Sequence, residues 1–195
     1  MIRFLTILFF VLLFATLGML FMTKGNFGVN IAEKGEQGTG IAQIGGDFLL
    51  VNQDGKTVSS ADFRGRVSLV FFGFTHCPDI CPVTTATMAK ILASLGDKAD
   101  GVAPIFITVD PKNDTPEVLK SYLANFDPRI IGLTGTDAQI SAAADAYKAY
   151  FSANGDAVDH SGFIYLMDKN GVYFQHFAYD ESAETIVDAV RKLLE

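Results

Sequence analysis

The hydrophobic positions along the chain fall into three regimes. From Phe4 to Met22 the chain is apolar and uncharged for 19 residues. As a helix this run would be about 28 Å long, close to the hydrocarbon thickness of a bilayer. Arg3 precedes it, Lys24 follows it, and no Ala-x-Ala-like site comes after Met22. Residues 1–23 therefore read as an uncleaved membrane anchor rather than a cleaved signal peptide. Arg3 and the terminal amine favour a cytoplasmic N-terminus. Residues 24–45 are polar and carry Gly25, Gly28, Gly35, Gly38 and Gly40, the composition of a flexible tether. From residue 46 to 195, strand-like and helix-like periods alternate, which gives one domain.

Within that domain, Asp47 to Asn52 and Lys56 to Val58 read as two strands joined at Asp54-Gly55. Val67 to Phe74 is apolar on both faces, the mark of a central strand. Met88, Ile91, Leu92 and Leu95 fall at helical spacing in Val83 to Leu95, and Gly96 ends that helix. Ala103 to Val109 is a second buried strand, closed by Asp110-Pro111. Thr115-Pro116-Glu117 opens a helix with Val118, Leu119, Tyr122, Leu123 and Phe126 on one side. Ile130 to Leu133 is a short strand. A helix from Asp137 to Tyr150 then turns Ile140, Ala143, Ala144, Tyr147 and Phe151 inward. Ser152 to Asp156 reads as a polar loop leading to Val158-Asp159-His160. Phe163 to Met167 and Val172 to Phe177 form a hairpin, and Ala183 to Leu194 closes the chain as an amphipathic helix. The order β-β-β-α-β-α-β-α-β-β-α predicts an α/β mixed sheet with helices on both faces.

Composition narrows the function classes. Hydrophobic residues make up 49% of the chain, enough for a sizeable core. The formal charge is -7 with no basic cluster, which argues against nucleic acid as a partner. There are 2 cysteines, too few for a disulfide scaffold, so the pair calls for a local chemical reason.

The pair lies in Thr75-His76-Cys77-Pro78-Asp79-Ile80-Cys81-Pro82, where a buried strand hands over to a helix. Pro82 suits a first helical position, which puts Cys81 at about the N-cap. There, free N–H groups and the helix dipole favour a thiolate, so both thiols are expected to have a lowered pKa. A reactive pair at the first crossover and a closing hairpin plus helix suggest a thioredoxin-like core. In such a sheet the loop holding His160 faces the cysteine turn. Cys77, Cys81 and His160 would make a three-coordinate soft site, which suits copper, whereas zinc asks for four ligands or three plus water. Asp159 or Asp79 could orient the imidazole. His76 is expected to point away from the pair and His176 to be structural. Asp110, Asp114 and Arg129 read as turn, cap and surface charges. Thiol–disulfide exchange stays open as the rival chemistry, although thioredoxin-type pairs have two intervening residues, not three. A peroxidase would need a Thr-x-x-Cys spacing, which Thr75 and Cys77 do not have.

Four blocks carry a family resemblance: Phe72-Gly73-Phe74-Thr75-His76-Cys77-Pro78-Asp79-Ile80-Cys81-Pro82, Thr108-Val109-Asp110-Pro111 with Asp114-Thr115, Gly132-Leu133-Thr134-Gly135, and Val158-Asp159-His160. In this order they resemble the Sco/SenC family, from about Gly46 to the C-terminus. The resemblance implies a thioredoxin-like, membrane-anchored copper chaperone with metal ligands at Cys77, Cys81 and His160. It implies delivery of copper to, or reduction of thiols in, the copper A site of cytochrome c oxidase subunit II. It also implies a domain on the outer face of a bacterial-type inner membrane, in the periplasm, or in the mitochondrial intermembrane space.

Overall fold

Residues 43–154, 157–160 and 162–195 are described by a computed structural model of the chain, and of 152–154 and 157–160 only the strand backbone is described. The expected anchor, and the expected tether up to residue 42, lie outside these residues. Among the described residues, no helix is long and apolar enough to cross a membrane. Just before residue 46 the chain already engages the domain. The Gly45 N–H donates to the Ala146 carbonyl at 2.9 Å, and Ile44 packs against the core.

The strands are β1 (Leu49–Asn52), β2 (Thr57–Ser59), β3 (Val67–Gly73), β4 (Val102–Thr108), β5 (Ile131–Thr134), β6 (Phe151–Asn154), β7 (Ala157–His160), β8 (Phe163–Met167) and β9 (Tyr173–Ala178). The helices are α1 (Ile80–Leu95), α2 (Pro116–Leu123), α3 (Asp137–Tyr147) and α4 (Ala183–Leu194). Three helices start where a hydroxyl can take a free N–H. Thr115 accepts from Val118 N, Thr136 from Gln139 N and Ser182 from Thr185 N.

Seven strands form one sheet in the order β2-β1-β5-β4-β3-β8-β9. β3, β4 and β5 run parallel, and the other pairings are antiparallel. Every residue of β3 and β4 is buried, as expected of strands covered on both faces. The crossovers β3-α1-β4 and β4-α2-β5 step in the same direction, so the right-handed rule puts α1 and α2 on one face. Side chains agree. Phe71 meets Phe106 edge-on at 5.8 Å, and Phe106 leans on Tyr122 of α2 at 5.8 Å. The next residue points the other way: Phe72 packs against Tyr147 of α3 at 5.5 Å and Tyr165 of β8 at 6.2 Å.

Two expectations are corrected here. The third helix stops at Tyr147, not Tyr150, because Lys148 takes the left-handed conformation (φ 55°) and the Ala149 N–H folds back to the Ala144 carbonyl. Phe151 therefore opens a strand, from which it still packs against the core as expected, rather than ending a helix. The expected polar loop after it is a two-stranded sheet, in which Phe151 pairs with His160 and Ser152 with Asp159. Gly155-Asp156, the two residues between the paired Asn154 and Ala157, is a glycine-first hairpin-turn dipeptide and carries the signal for it.

The aromatic layer on the α3 face predicts an alkaline limit. Burial pushes the Tyr147 and Tyr165 hydroxyls from an ordinary value near 10 up to about 12. An acid raised in the folded state holds its proton more tightly there than when unfolded. Its contribution is complete below pH ~10 and is lost as pH rises towards ~12. For Tyr147, 4% exposed, that loss is about 2–3 kcal/mol. Denaturant unfolding from pH 8 upward should show a plateau, then a fall beginning near pH 10. A flat profile across the whole range would contradict this account, and Tyr147→Phe with Tyr165→Phe should shallow the fall.

Candidate metal and thiol centre

β3 ends at Gly73, paired with Thr108 at the end of β4, and the cysteine loop leaves from there. Sites in sheets of this kind form beyond the carboxyl ends of the parallel strands, and this loop is in that place. A turn closes it, with the Cys77 N–H reaching the Phe74 carbonyl at 3.3 Å. Helix α1 starts at Ile80, two residues before the expected position. Asp79 is its N-cap by position, but its side chain makes no capping bond. Cys81 is therefore the second helical residue and Pro82 the third, still within the first turn, where no intrahelical donor is missed.

That shift changes the chemistry of Cys81. Instead of an N-cap residue, it is a core residue at 0% exposure. Burial is the largest cause pushing its thiol far above the ordinary cysteine range. The Cys77 thiol adds to this through a hydrogen bond and its charge, and Asp114 through its charge, while the Phe74 backbone eases it. The expectation of two acidic thiols is thus wrong for Cys81. Cys77 is half-buried beside it, and no disulfide joins the two.

Gly73 makes the close approach possible. A Cβ there would lie 2.6 Å from Phe71 Cε1, 3.0 Å from Cys81 Sγ and 3.2 Å from Phe106 Cε2. The two rings are fully buried and cannot swing away. Gly73→Ala is expected to cost about 1–3 kcal/mol and to displace the Cys81 sulfur. Chemical unfolding alongside thiol accessibility would register both effects, and an unchanged pair of values would refute the close-packing account.

Asp114 is a second correction. It is not a surface, cap or turn charge but is buried at 0% exposure. Its carboxylate accepts from the Thr75 N–H at 3.0 Å, the Thr75 hydroxyl at 2.5 Å and the Thr108 hydroxyl at 2.6 Å. The loop after β4 folds back to bring it there, with the Asp114 N–H donating to the Asp110 carbonyl at 2.9 Å. Beneath the pair, the Tyr122 hydroxyl is buried with no hydrogen-bond partner among the described residues. Burial is the largest cause pushing this phenol up to about 12; the nearby Thr85 hydroxyl eases the shift, and the charges of Cys81, Cys77 and Asp114 add to it. The neighbouring Thr85 hydroxyl donates instead to the Cys81 carbonyl at 2.7 Å. Sequence reasoning did not single out Gly73, Asp114 or Tyr122 for the site.

The other polar candidates sort themselves. His76 is exposed, with Nδ1 3.1 Å from the Thr75 hydroxyl and 3.7 Å from an Asp114 oxygen, so it sits on the outer side of that clip. Asp79 is exposed. His176 lies on β9, 2.6 Å from the Tyr173 hydroxyl and edge-on to Phe163 at 4.7 Å, a structural role as expected. Arg129 forms a fork with Asp127, and Asp110 accepts from Asn113. His160 ends β7, three residues before β8 begins. β8 starts opposite the carboxyl end of β3, with Ile164 beside Phe71, so the His160 backbone comes to the cysteine end of the sheet. The side chain of His160 is outside the described residues. Among those described, no group of three His, Cys, Asp or Glu is poised for a metal ion. The described part of the centre is a soft pair of sulfurs on a strand-to-helix turn.

A family model described as SCO1/SenC matches residues 36–195. The chain is 44% identical over 156 residues to a SCO2-like protein of Rickettsia felis, covering 76% of each. It is similar to the structure of ScoI of Bradyrhizobium japonicum with copper bound, at 39% identity and a TM-score of 0.71, covering 77% of this chain and 99% of that one. It is also similar to BsSco, a protein with a disulfide switch, described as a member of the Sco family of cytochrome c oxidase assembly proteins. That match has 32% identity and a TM-score of 0.68, covering 78% and 94% of the two chains.

Proposed function

Because the chain belongs to the SCO1/SenC family, we propose that it is a copper carrier for cytochrome c oxidase assembly, anchored to a membrane by Phe4 to Met22. The observation that carries this reading is the thiol pair itself. Cys77 and Cys81 meet at the end of a buried strand, with the Cys81 sulfur against the main chain at Gly73. Two adjacent sulfurs and an imidazole form a donor set suited to copper. In this reading, Cys77 and Cys81 hold Cu(I) as thiolates and His160, on a separate hairpin, completes the site. Loading displaces the thiol protons, since the metal binds the deprotonated form. Delivery to the copper A site of oxidase subunit II then proceeds by stepwise ligand exchange, and the imidazole is the ligand free to leave first. The domain would work in the periplasm or its mitochondrial equivalent, the intermembrane space.

Copper titration of the reduced protein tests this. Wild type should take up one Cu(I) tightly, and His160→Ala should bind roughly tenfold or more weakly. If the histidine variant titrated like wild type, the third ligand would be misassigned.

One observation favours a second reading. Cys77 is half-buried and Cys81 fully buried, the asymmetry of an attacking and a resolving thiol. The Cys77 thiolate would attack a disulfide of the oxidase subunit, forming a mixed disulfide and releasing one partner thiolate. Cys81 would then attack Cys77 and release the second. The partner gains two electrons, this pair becomes a disulfide, and an outside dithiol must reduce it again. Partner reduction that persists in copper-free His160→Ala protein would favour this enzyme over the carrier.

A further inference from the structure

We propose that Asp114 is a positioning residue of the thiol pair, whose buried carboxylate locks the Cys77 loop to the end of β4 and so fixes how Cys77 is held over Cys81. This rests on the reading above that the two cysteines act together. Thr75 lies two residues before Cys77, and both its N–H and its hydroxyl end on Asp114, while Thr108, the last residue of β4, supplies the third donor. The Thr108 hydroxyl in turn accepts from the Asp110 N–H at 2.9 Å, and the Val109 N–H donates to the Gly73 carbonyl at 2.8 Å. The loop that carries Cys77 and the loop after β4 are thus laced together at their roots, with one charged acceptor at the centre.

A purely structural role fits less well. Asp114 precedes α2, yet it does not cap that helix, since Thr115 does. Each of the three donors to its carboxylate, two hydroxyls and one main-chain N–H, belongs to the cysteine loop or to the strand end beneath that loop. A carboxylate is also the group this arrangement requires, because it accepts from three donors and offers none. An amide in its place has one accepting oxygen and brings a donor into a site already full of donors. A buried charge with its donors satisfied holds a single geometry strongly, and a partly satisfied one does not.

The test is Asp114→Asn in the full chain, with Asp62→Asn as the comparison. Asp62 also accepts from a backbone N–H and a hydroxyl, both of Ser59, but in the turn after β2. Two readouts are taken well below the melting temperature: the alkylation rate of each cysteine in the metal-free protein, and Cu(I) affinity. Asp114→Asn should raise Cys81 alkylation roughly tenfold or more, as the loop lifts from the buried thiol, and weaken Cu(I) by a similar factor. Asp62→Asn should leave both within about twofold, whatever its melting temperature, since sites without shared partners act independently. If Asp114→Asn does not fold, Thr75→Val removes one donor at constant shape and should shift both readouts in the same direction. Rates and affinity unchanged in the variant that folds would reduce Asp114 to a stabilising residue. The alkylation arm needs no metal, so wild type that fails to bind copper would sink the carrier reading and leave this proposal to be decided by the thiol rates alone.

Discussion

Cys81→Ala is expected to lose roughly two to three orders of magnitude in Cu(I) affinity while still folding. The two halves of that outcome have separate causes. Tight soft-metal sites draw about 3–4 kcal/mol from each ligand, so loss of one thiolate removes about that much. Folding loses much less, because Cys81 behaves in the core as a small apolar residue and alanine leaves out a single heavy atom, worth about 1 kcal/mol. Cys77→Ala should cost as much affinity and even less stability, since Cys77 is only half-buried. Isothermal or competition titration against a Cu(I) chelator, paired with thermal unfolding, measures both. Full-strength copper binding by either variant would mean that the metal sits elsewhere.

A large difference between the two thiols is the second expected result. In the metal-free reduced protein, an alkylating reagent should modify Cys77 roughly a hundredfold faster than Cys81 at neutral pH. The reagent must reach the sulfur and find it ionised. Burial denies Cys81 both, since it has no exposed surface and its thiol is pushed far above the ordinary range. It should react only through local opening. Mass spectrometry of quenched time points would give both rates in one experiment. Equal rates would show that the solution structure does not bury Cys81 at the second position of α1. If the pair loads copper as proposed, the asymmetry sets an order: an incoming metal or partner sulfur would meet Cys77 first, and the Cys81 proton would be displaced only once the metal is already held.

The central strand, the two buried crossovers and the closing hairpin and helix were legible from local periodicity, because each is long or flanked by clear caps and turns. The cysteine turn was legible for a different reason: two cysteines with prolines after them leave few other readings. The start of α1 was not. A proline is tolerated at the third helical position as well as the first, so Pro82 does not fix the register, and a shift of two residues decides whether Cys81 faces water or Phe71. Asp114 was hidden by its own neighbourhood. In a stretch such as Asp110-Pro111-Lys112-Asn113-Asp114-Thr115, every carboxylate suits a turn or a cap, and only the tertiary return of that loop over β4 reveals which one is buried. The hairpin at 151–160 was legible in Gly155-Asp156 but overshadowed by the polar residues around it.

β6 and β7 form a two-stranded sheet of their own and, among the described residues, add no strand to the seven-stranded sheet. Inserting or deleting residues between Asn154 and Ala157 would therefore shift no pairing in the main sheet. The span of the arm that ends at residue 160 is a dimension that selection, or an engineer, can adjust without retuning the platform that holds the sulfurs. If the protein carries copper as proposed, swapping this arm between relatives while keeping the rest of the chain would alter how quickly the metal is surrendered and leave melting behaviour largely as it was.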